Sequence, residues 1–207
     1  MRLLLIIAIL FFGQFSFAQN SPVNGEDKAA RELIQNVIEE YKSYESLQVN
    51  FILTTKHPNF TNIDTIRGYA SGKKYRLASE KQVIVCDGDQ VFFQLAESNK
   101  ILSTKPDPSE VNIIYPAQML KIYQENYYYR MAGKFPYETG KELIKLEFFP
   151  KTGLENFTKI NVYVDQNSRQ IIRVSKFGKD GTLNIMDLKD MLFNINLSDS
   201  LFKLEMS

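Results

Sequence analysis

The side chains that could carry out chemistry are few in this chain. Its 207 residues include one histidine, His57, and one cysteine, Cys86. A catalytic triad needs a histidine between a nucleophile and an orienting acid, yet no Gly-x-Ser-x-Gly pattern presents a nucleophile. His57 falls in a predicted loop, and Cys86 ends the apolar run 82–86, which is typical of a buried strand. We therefore predict that the protein has no catalytic residues and is not an enzyme.

Ligand sets for metal ions and cofactors are equally absent from the sequence. A single histidine and a single cysteine exclude the usual zinc sites. The acidic stretch Asp87-Gly88-Asp89 lacks the other oxygen ligands of a calcium loop, and a tight hairpin turn with positive φ at Asp87 and Gly88 explains it. No glycine-rich phosphate loop is present. We predict neither a metal nor a cofactor.

The charge balance argues against a nucleic-acid partner. Lysine and arginine number 25 and aspartate and glutamate 24, for a net charge of +1. A surface that binds nucleic acid or an anionic membrane needs an excess of basic residues. We expect neither partner.

The amino-terminal residues 1–18 indicate where the protein works. Arg2 supplies a positive start, and an almost unbroken apolar run follows over 3–12. Small residues at Ser16 and Ala18 complete the pattern of a secretory signal peptide. The apolar run is shorter than the roughly 20 residues of a membrane-spanning helix, and no cysteine that could be lipidated follows it. We expect cleavage near Ala18 and a free exported chain over 19–207.

Hydrophobic periodicity predicts two helices and a long run of strands in the rest of the chain. Apolar residues at three- and four-residue steps predict an amphipathic helix over 26–44. Pro116 marks the first turn of a second helix, which ends near Gln124. Apolar residues alternate from Val49 onward, which predicts strands. After the first, the predicted strands are 65–71, 74–79, 82–86, 90–96, 100–104, 127–133, 143–149, 158–165, 170–176 and 182–191.

These elements predict a fold of the α+β class, an antiparallel meander of about ten or eleven strands with two helices. A meander of that length curls, because strand twist accumulates and because open edges are a liability. We expect an unclosed, curved antiparallel β-barrel, with the helices forming a lid over an apolar cavity. Residues 19–207 are expected to form this single domain.

The order of the elements and several local strings resemble the LolA family of periplasmic lipoprotein carriers. The strings are YKSYESLQVNF at 41–51, RGYA at 67–70, KKYRL at 73–77, VIVCDGDQVFF at 83–93, PAQML at 116–120, LEFFPK at 146–151 and LFKL at 201–204. The string at 83–93 is the most specific, because it is similar to the family's Asp-Gly hairpin. The resemblance implies an unclosed barrel with helices as a lid, as the periodicity also predicts.

The same resemblance implies a function. It implies a periplasmic, monomeric carrier, or chaperone, that binds the acyl chains of lipoproteins in an apolar cavity and ferries them from the inner to the outer membrane. The implied partners are acylated lipoproteins, an inner-membrane ABC-type lipoprotein-releasing complex and an outer-membrane acceptor where one exists.

Candidate site residues follow from the alternation of the strands and the stripes of the helices. We assign the cavity wall to apolar strand residues: Val49, Phe51, Leu53, Tyr69, Val83, Val85, Phe92 and Leu95. We assign the lid to apolar helix residues: Ile34, Val37, Ile38, Met119, Leu120 and Tyr123. A shift of one residue in a strand would exchange its two faces.

A gating contact is implied by the resemblance alone. Family members often carry an arginine before a proline on the second strand, where it is proposed to hold the lid shut. Here Lys73 and Lys74 occupy the nearest positions, with no proline after them, and Arg76 is the nearest arginine. These three residues are the gating candidates.

Three other functions stay open. The first is an exported lipid-sensing or lipid-binding module of an envelope regulator, a class that usually carries a second domain. The second is a lipoprotein receptor of LolB type, which would itself need a lipidation cysteine. The third is an exported hydrolase, for which His57 is the only histidine available as a base.

Overall fold

The computed structural model describes residues 27–97, 100–107 and 112–204. The predicted signal peptide, 1–18, and its predicted cleavage near Ala18 lie outside these residues. The described helices are α1 (Lys28–Lys42) and α2 (Pro116–Asn126). The described strands are β1 (Ser46–His57), β2 (Phe60–Ser71), β3 (Lys74–Ala78), β4 (Gln82–Cys86), β5 (Val91–Leu95), β6 (Ile101–Thr104), β7 (Tyr127–Pro136), β8 (Glu142–Pro150), β9 (Phe157–Asp165), β10 (Ile171–Gly178) and β11 (Leu183–Phe193).

The strands form one 11-stranded sheet with the order β6-β5-β4-β3-β2-β1-β11-β10-β9-β8-β7. Neighbouring strands pair antiparallel, and β1 and β11 form the pair at the centre. β6 and β7 follow each other in the chain but lie at opposite edges, so the sheet does not close. The chain between them, which includes α2, joins the two edges. The predicted fold, an unclosed curved antiparallel barrel with two helices, is confirmed.

Helix α1 begins where a side chain can cap it. The carboxylate of Asp27 accepts a hydrogen bond from the Ala30 backbone N–H at 3.1 Å, which satisfies one of the free donors of the first turn. The apolar stripe of the helix then lies buried against the sheet. Its buried residues are Ala30, Ile34, Val37, Ile38 and Tyr41. We call the sheet face that the helices cover the inner face, and the opposite one the outer face.

The first hairpin is longer than predicted. β1 continues to His57 and β2 begins at Phe60, so only Pro58 and Asn59 connect them. The expectation that His57 lies in a loop is therefore wrong: it ends a strand, and its ring stacks on that of Phe60 at 5.0 Å. The sequence hides this extension because the hairpin runs beyond the core there, where no buried residues mark its alternation.

The hairpin predicted at Asp87 and Gly88 exists, but its turn differs. Cys86 pairs with Val91, which leaves a loop from Asp87 to Gln90. Of the two positions expected to have positive φ, only Gly88 does, at 110°. A side chain supplies the remaining order, since Asp87 Oδ1 accepts from the backbone N–H groups of Asp89 and Gln90, each at 2.9 Å.

The segment before α2 packs close to the inner face at Gly68. A Cβ on Gly68 would lie 2.7 Å from Cε2 of Phe51 and 2.8 Å from Cδ1 of Ile114. Glycine therefore leaves room for Phe51 and Ile114, both of which belong to the buried core. Among the described residues, no helix has the length and apolar character needed to cross a membrane.

Candidate binding cavity

A cavity of about 830 Å³ lies between the helices and one half of the sheet. The end of α1, the first turns of α2 and the segment before α2 cover it, and the inner face of β1–β5 forms its floor. This volume falls within the roughly 300–1,000 Å³ that is typical of ligand cavities.

Strand pairing explains which side chains reach the cavity. Directly opposite residues of an antiparallel pair point to the same face. Leu47 lies opposite Ala70, and Ala70 lies opposite Tyr75. Tyr75 in turn pairs with Cys86, and Cys86 with Val91. All five residues line the cavity, so one row across five strands forms its floor.

The wall is predominantly apolar, while the entrance is charged. The apolar and aromatic lining comprises Ile38, Tyr41, Tyr44, Leu47, Ala70, Tyr75, Cys86, Val91, Phe93, Pro106, Ile114, Tyr115, Pro116 and Ala117. Exposed lysines also line it: Lys42, Lys73, Lys105 and Lys121. The carboxylates among the lining residues are those of Glu45 and Asp107. The entrance therefore carries an excess of positive charge above an apolar interior.

Tyr115 places a polar group in this apolar wall. Its hydroxyl is buried and has no hydrogen-bond partner among the described residues. Its ring meets that of Tyr75 edge-on, with 5.7 Å between the centroids. Burial raises the pKa of Tyr115, and the neighbouring Cys86 and Tyr75 add to the effect. The hydroxyl is therefore neutral and available as a donor.

Cys86 contributes an apolar surface rather than a nucleophile. It is 1% exposed, and burial raises the pKa of its thiol, with Asp87 and Asp89 nearby adding to the shift. A reactive cysteine needs the opposite, a lowered pKa and access to solvent. In the part of the chain that the structure describes, no group of three histidine, cysteine or acidic side chains could hold a metal ion.

The six residues predicted for the lid lie together on the inner face. All of them are at most 6% exposed and belong to one core cluster that also contains Val49 and Phe51. Of the six, Ile38 also lines the cavity. The apolar faces of α1 and α2 thus occupy the part of the inner face that adjoins the cavity.

Hydrogen bonds to backbone N–H groups hold both ends of α1 to the sheet, and no sequence motif marks them. Asp27 accepts a hydrogen bond from the Met131 N–H of β7 at 2.8 Å, and this bond is the main reason that the pKa of its carboxyl is lowered. Near the other end, the Tyr41 hydroxyl accepts one from the Ile171 N–H of β10 at 3.0 Å. A movement of α1 away from the sheet would break both.

Replacing Tyr41 by phenylalanine is expected to lower the free energy of unfolding by about 1–3 kcal/mol, because the buried Ile171 N–H would lose its acceptor. Urea denaturation measures the loss, and hydrogen exchange at the Ile171 amide locates it. Tyr44→Phe is the control, since the partners of its hydroxyl are the side chains of Glu40 and Gln170 and not a buried backbone N–H. Equal losses in the two variants would contradict the anchoring role.

The residues predicted for the cavity wall divide between the two faces. Val49 and Phe51 lie on the inner face but beneath the helices, outside the cavity. Leu53 has the same strand parity and is half-buried. Leu95, opposite Gln82 and in step with Phe93, has inner-face parity but is 58% exposed.

The other four residues predicted for the wall lie on the outer face. Tyr69 pairs with Gln48 and with Arg76, and Arg76 pairs with Val85. Val83 belongs to the same row as Val85 along β4, and Phe92 lies opposite Val85. The register therefore removes these four from the lining and substitutes their neighbours Ala70, Cys86, Val91 and Phe93.

The apolar character of both faces of β4 explains why the wrong face was assigned to the cavity. Val83, Ile84, Val85 and Cys86 are all apolar, so the sequence of this strand shows no alternation. The outer face is also covered, because the carboxyl-terminal segment packs on β3 there. Val85 is fully buried on that side. A strand buried on both faces does not reveal which face lines a cavity.

The three gating candidates likewise do not all lie at the cavity. Lys74 forms an ion pair with Asp199 at 2.8 Å, and the Arg76 guanidinium donates to the carbonyls of Leu201 and Lys203 at 3.3 and 3.4 Å. Both residues thus hold the carboxyl-terminal segment on the outer face, away from the helices. Lys73 alone of the three lines the cavity.

Solved structures of similar fold exist. An uncharacterized conserved protein from Thermus thermophilus is 13% identical, with alignment over 86% of this chain and 94% of its own and a TM-score of 0.60. Lipoprotein LppX from Mycobacterium tuberculosis is 12% identical over 84% of this chain and 99% of its own, with a TM-score of 0.51. The chain shares its fold with these two proteins.

A LolA superfamily protein from Nitrosomonas europaea aligns over 84% of this chain and 97% of its own, at 12% identity and a TM-score of 0.44, and no argument rests on it. No protein-family model and no curated protein matches the sequence. The likeness therefore concerns the fold, and function has to be argued from the cavity.

Proposed function

We propose that this protein is a periplasmic carrier that binds the acyl chains of lipoproteins in the cavity and moves them from the inner to the outer membrane. In this proposal residues 19–207 form one exported, monomeric, non-catalytic domain. It receives its cargo from an inner-membrane ABC-type complex and passes it to an outer-membrane acceptor. The observation that supports the proposal is the apolar cavity of about 830 Å³ beneath a charged entrance.

The cavity suits the chemistry of an acyl chain. Each buried methylene is worth about 0.8 kcal/mol, so a lipid tail gains strongly from an apolar wall. A carrier must also release its cargo, which the full transfer energy would prevent. The helix residues Ile34, Val37, Met119 and Leu120 already occupy the adjoining inner face. Displacing them would expose apolar surface and offset part of the gain, which keeps binding reversible.

The residues of the proposed site follow the register. We propose that Leu47, Ala70, Tyr75, Val91 and Phe93 contact bound chains in the structure as it stands. Val49 and Phe51 become accessible only when the helices move, because both lie beneath them. The six helix residues then act as a lid that takes up the space when no chain is bound.

Native mass spectrometry of the protein recovered from its host tests the carrier proposal. The expected result is a one-to-one complex with an acylated lipoprotein that is lost when the acyl chains are removed. A ligand-free mass in the presence of abundant lipoproteins would contradict it. Binding of free lipid without any lipoprotein would favour the alternative, a lipid-sensing module.

Filling part of the cavity should weaken binding without unfolding the protein. Ala117 lines the cavity and is half-buried, so Ala117→Phe would occupy space that an acyl chain needs. Overpacking of this kind costs about 1–3 kcal/mol, which corresponds to about 5- to 150-fold in affinity for a fluorescent fatty acid. The control is Ala78→Phe, which adds the same ring on the outer face, because Ala78 pairs with Arg67 and Val83. Equal affinities in the two variants would exclude this cavity as the site.

A further inference from the structure

The Tyr115 hydroxyl is the feature of the cavity that an apolar binding site does not explain. A buried polar group without a partner costs free energy, and this hydroxyl is fully buried with no partner among the described residues. The ring itself meets that of Tyr75 edge-on. The group therefore points to a ligand that carries a hydrogen-bond acceptor.

The surroundings of the hydroxyl indicate which kind of acceptor group it would meet. The entrance is lined by exposed lysines, whereas the interior is apolar. An amphiphile therefore enters with its tails inward and its head at the entrance. The polar groups that follow the head into the apolar region are the ester carbonyls that join acyl chains to glycerol. A neutral hydroxyl beneath the wall is a suitable donor for such a carbonyl, because it is already out of water and has no acceptor among the described residues.

We propose that a diacylglyceryl group bound in the cavity displaces the packing over the Tyr115 hydroxyl, which then donates a hydrogen bond to one of the ester carbonyls. This inference rests on the proposed function, since it assumes that acyl chains occupy the cavity. It adds a specific chemistry: the protein distinguishes ester-linked from ether-linked chains. The diacylglyceryl group occurs both in lipidated cysteine and in phospholipids, and the hydroxyl binds the ester group that they share.

The test compares ester and ether forms of one ligand. Binding of dioctanoyl phosphatidylglycerol and of its dioctyl ether analogue is measured by titration calorimetry with the purified protein and with Tyr115→Phe. The expected result is that the variant binds the ester about 2- to 10-fold more weakly, the range of one neutral hydrogen bond, and binds the ether as the unaltered protein does. Tyr128→Phe, on an exposed ring with outer-face parity, is the control.

A second measurement separates this role from a structural one. Removing an unpartnered buried hydroxyl should leave the stability of the ligand-free protein unchanged or raise it. If Tyr115→Phe instead weakens the ester and the ether equally, or weakens neither, the ester contact is overturned while the carrier proposal stands. If neither ligand binds the unaltered protein, the cavity does not take acyl chains and the proposed function fails first.

A third ligand distinguishes the two sources of the group. A diacylglyceryl-cysteine peptide with the same octanoyl chains is titrated beside the phospholipid. Loss of affinity for the peptide in Tyr115→Phe supports the contact with lipoprotein cargo, and loss for phosphatidylglycerol supports it with membrane lipid. Selectivity for ester over ether in the unaltered protein is required in either case.

Discussion

Phe51→Ala is expected to lower the free energy of unfolding by about 3–5 kcal/mol. Phe51 is 1% exposed and lies in the core between β1 and the segment that leads into α2. Gly68 beneath it has no side chain that could fill the space that the ring leaves. Because domains are stable by only about 5–15 kcal/mol, the loss is a large fraction of the total. Urea denaturation monitored by tyrosine fluorescence measures it.

A charge at the same position has a stronger effect. Phe51→Glu would bury an unpaired carboxylate in addition to removing the ring, and we expect it to prevent folding. A failure of that variant to bind lipid would therefore reveal nothing about the cavity. Phe92→Ala is the matched control, because Phe92 is half-buried on the outer face. A loss of stability as large in Phe92→Ala as in Phe51→Ala would contradict the placement of the core.

The second large effect concerns a charged cluster on the outer face. Glu147 is 3% exposed and accepts hydrogen bonds from Arg130 at 2.7 and 2.9 Å and from Lys159 at 3.1 Å. Lys145 lies 3.6 Å away. Glu147→Gln keeps the shape but removes the charge that these three cations share. We expect it to lower the free energy of unfolding by about 3 kcal/mol, at the lower end for a buried pair because the cations are partly exposed.

The pH dependence of this cluster has a definite sign. Burial alone would raise the pKa of the Glu147 carboxyl, but the hydrogen bonds from Arg130 and Lys159 outweigh it, so the pKa lies below its ordinary value of 4.5. The stabilisation is therefore complete above that value and is lost as the pH falls through the lower pKa of the folded state. The difference in stability between the unaltered protein and Glu147→Gln should shrink over that range.

An exposed pair provides the control for this prediction. Glu142 and Lys134 form an ion pair at 2.7 Å with about 60% of each side chain exposed. Exposed pairs of this kind contribute about 0–1 kcal/mol, so Glu142→Gln should change the stability little at any pH. Unfolding of the three proteins in urea, from about pH 7 to about pH 3, tests both statements. A constant difference for Glu147→Gln across the range would show that the pKa is not lowered.

Most of the fold could be predicted because burial is one-sided in most of its elements. The stripe of Ile34, Val37 and Tyr41 is buried on one side of α1, and Val49 and Phe51 alternate with half-buried polar residues along β1. The spacing of apolar residues along each of these elements is therefore enough to predict the element and its buried side. The central pair of β1 with β11 left no such signal, because contacts between distant strands have no local pattern.

The site was predicted less completely, for two physical reasons. β4 is apolar on both faces, so its parity could not be chosen from the sequence, and the error extended to Phe92 on the paired strand. Ile114 and Tyr115 precede Pro116 in a segment without any period, so nothing in the sequence marks them as cavity residues. The lysines of the entrance come from four separate parts of the chain, and only the fold brings them together.

The central position of β1 and β11 also determines when the fold can be completed. The Ser46 hydroxyl donates to the carbonyl of Ile195, which is 149 residues away in the chain. Strands β1–β6 and β7–β11 form two groups with mainly local pairing, and among the described strands the two groups pair with each other through β1 and β11. Distant contacts form slowly, and a chain emerging from its amino terminus lacks β11 until nearly the end. The protein is thus expected to remain incompletely folded until β11 has been synthesised.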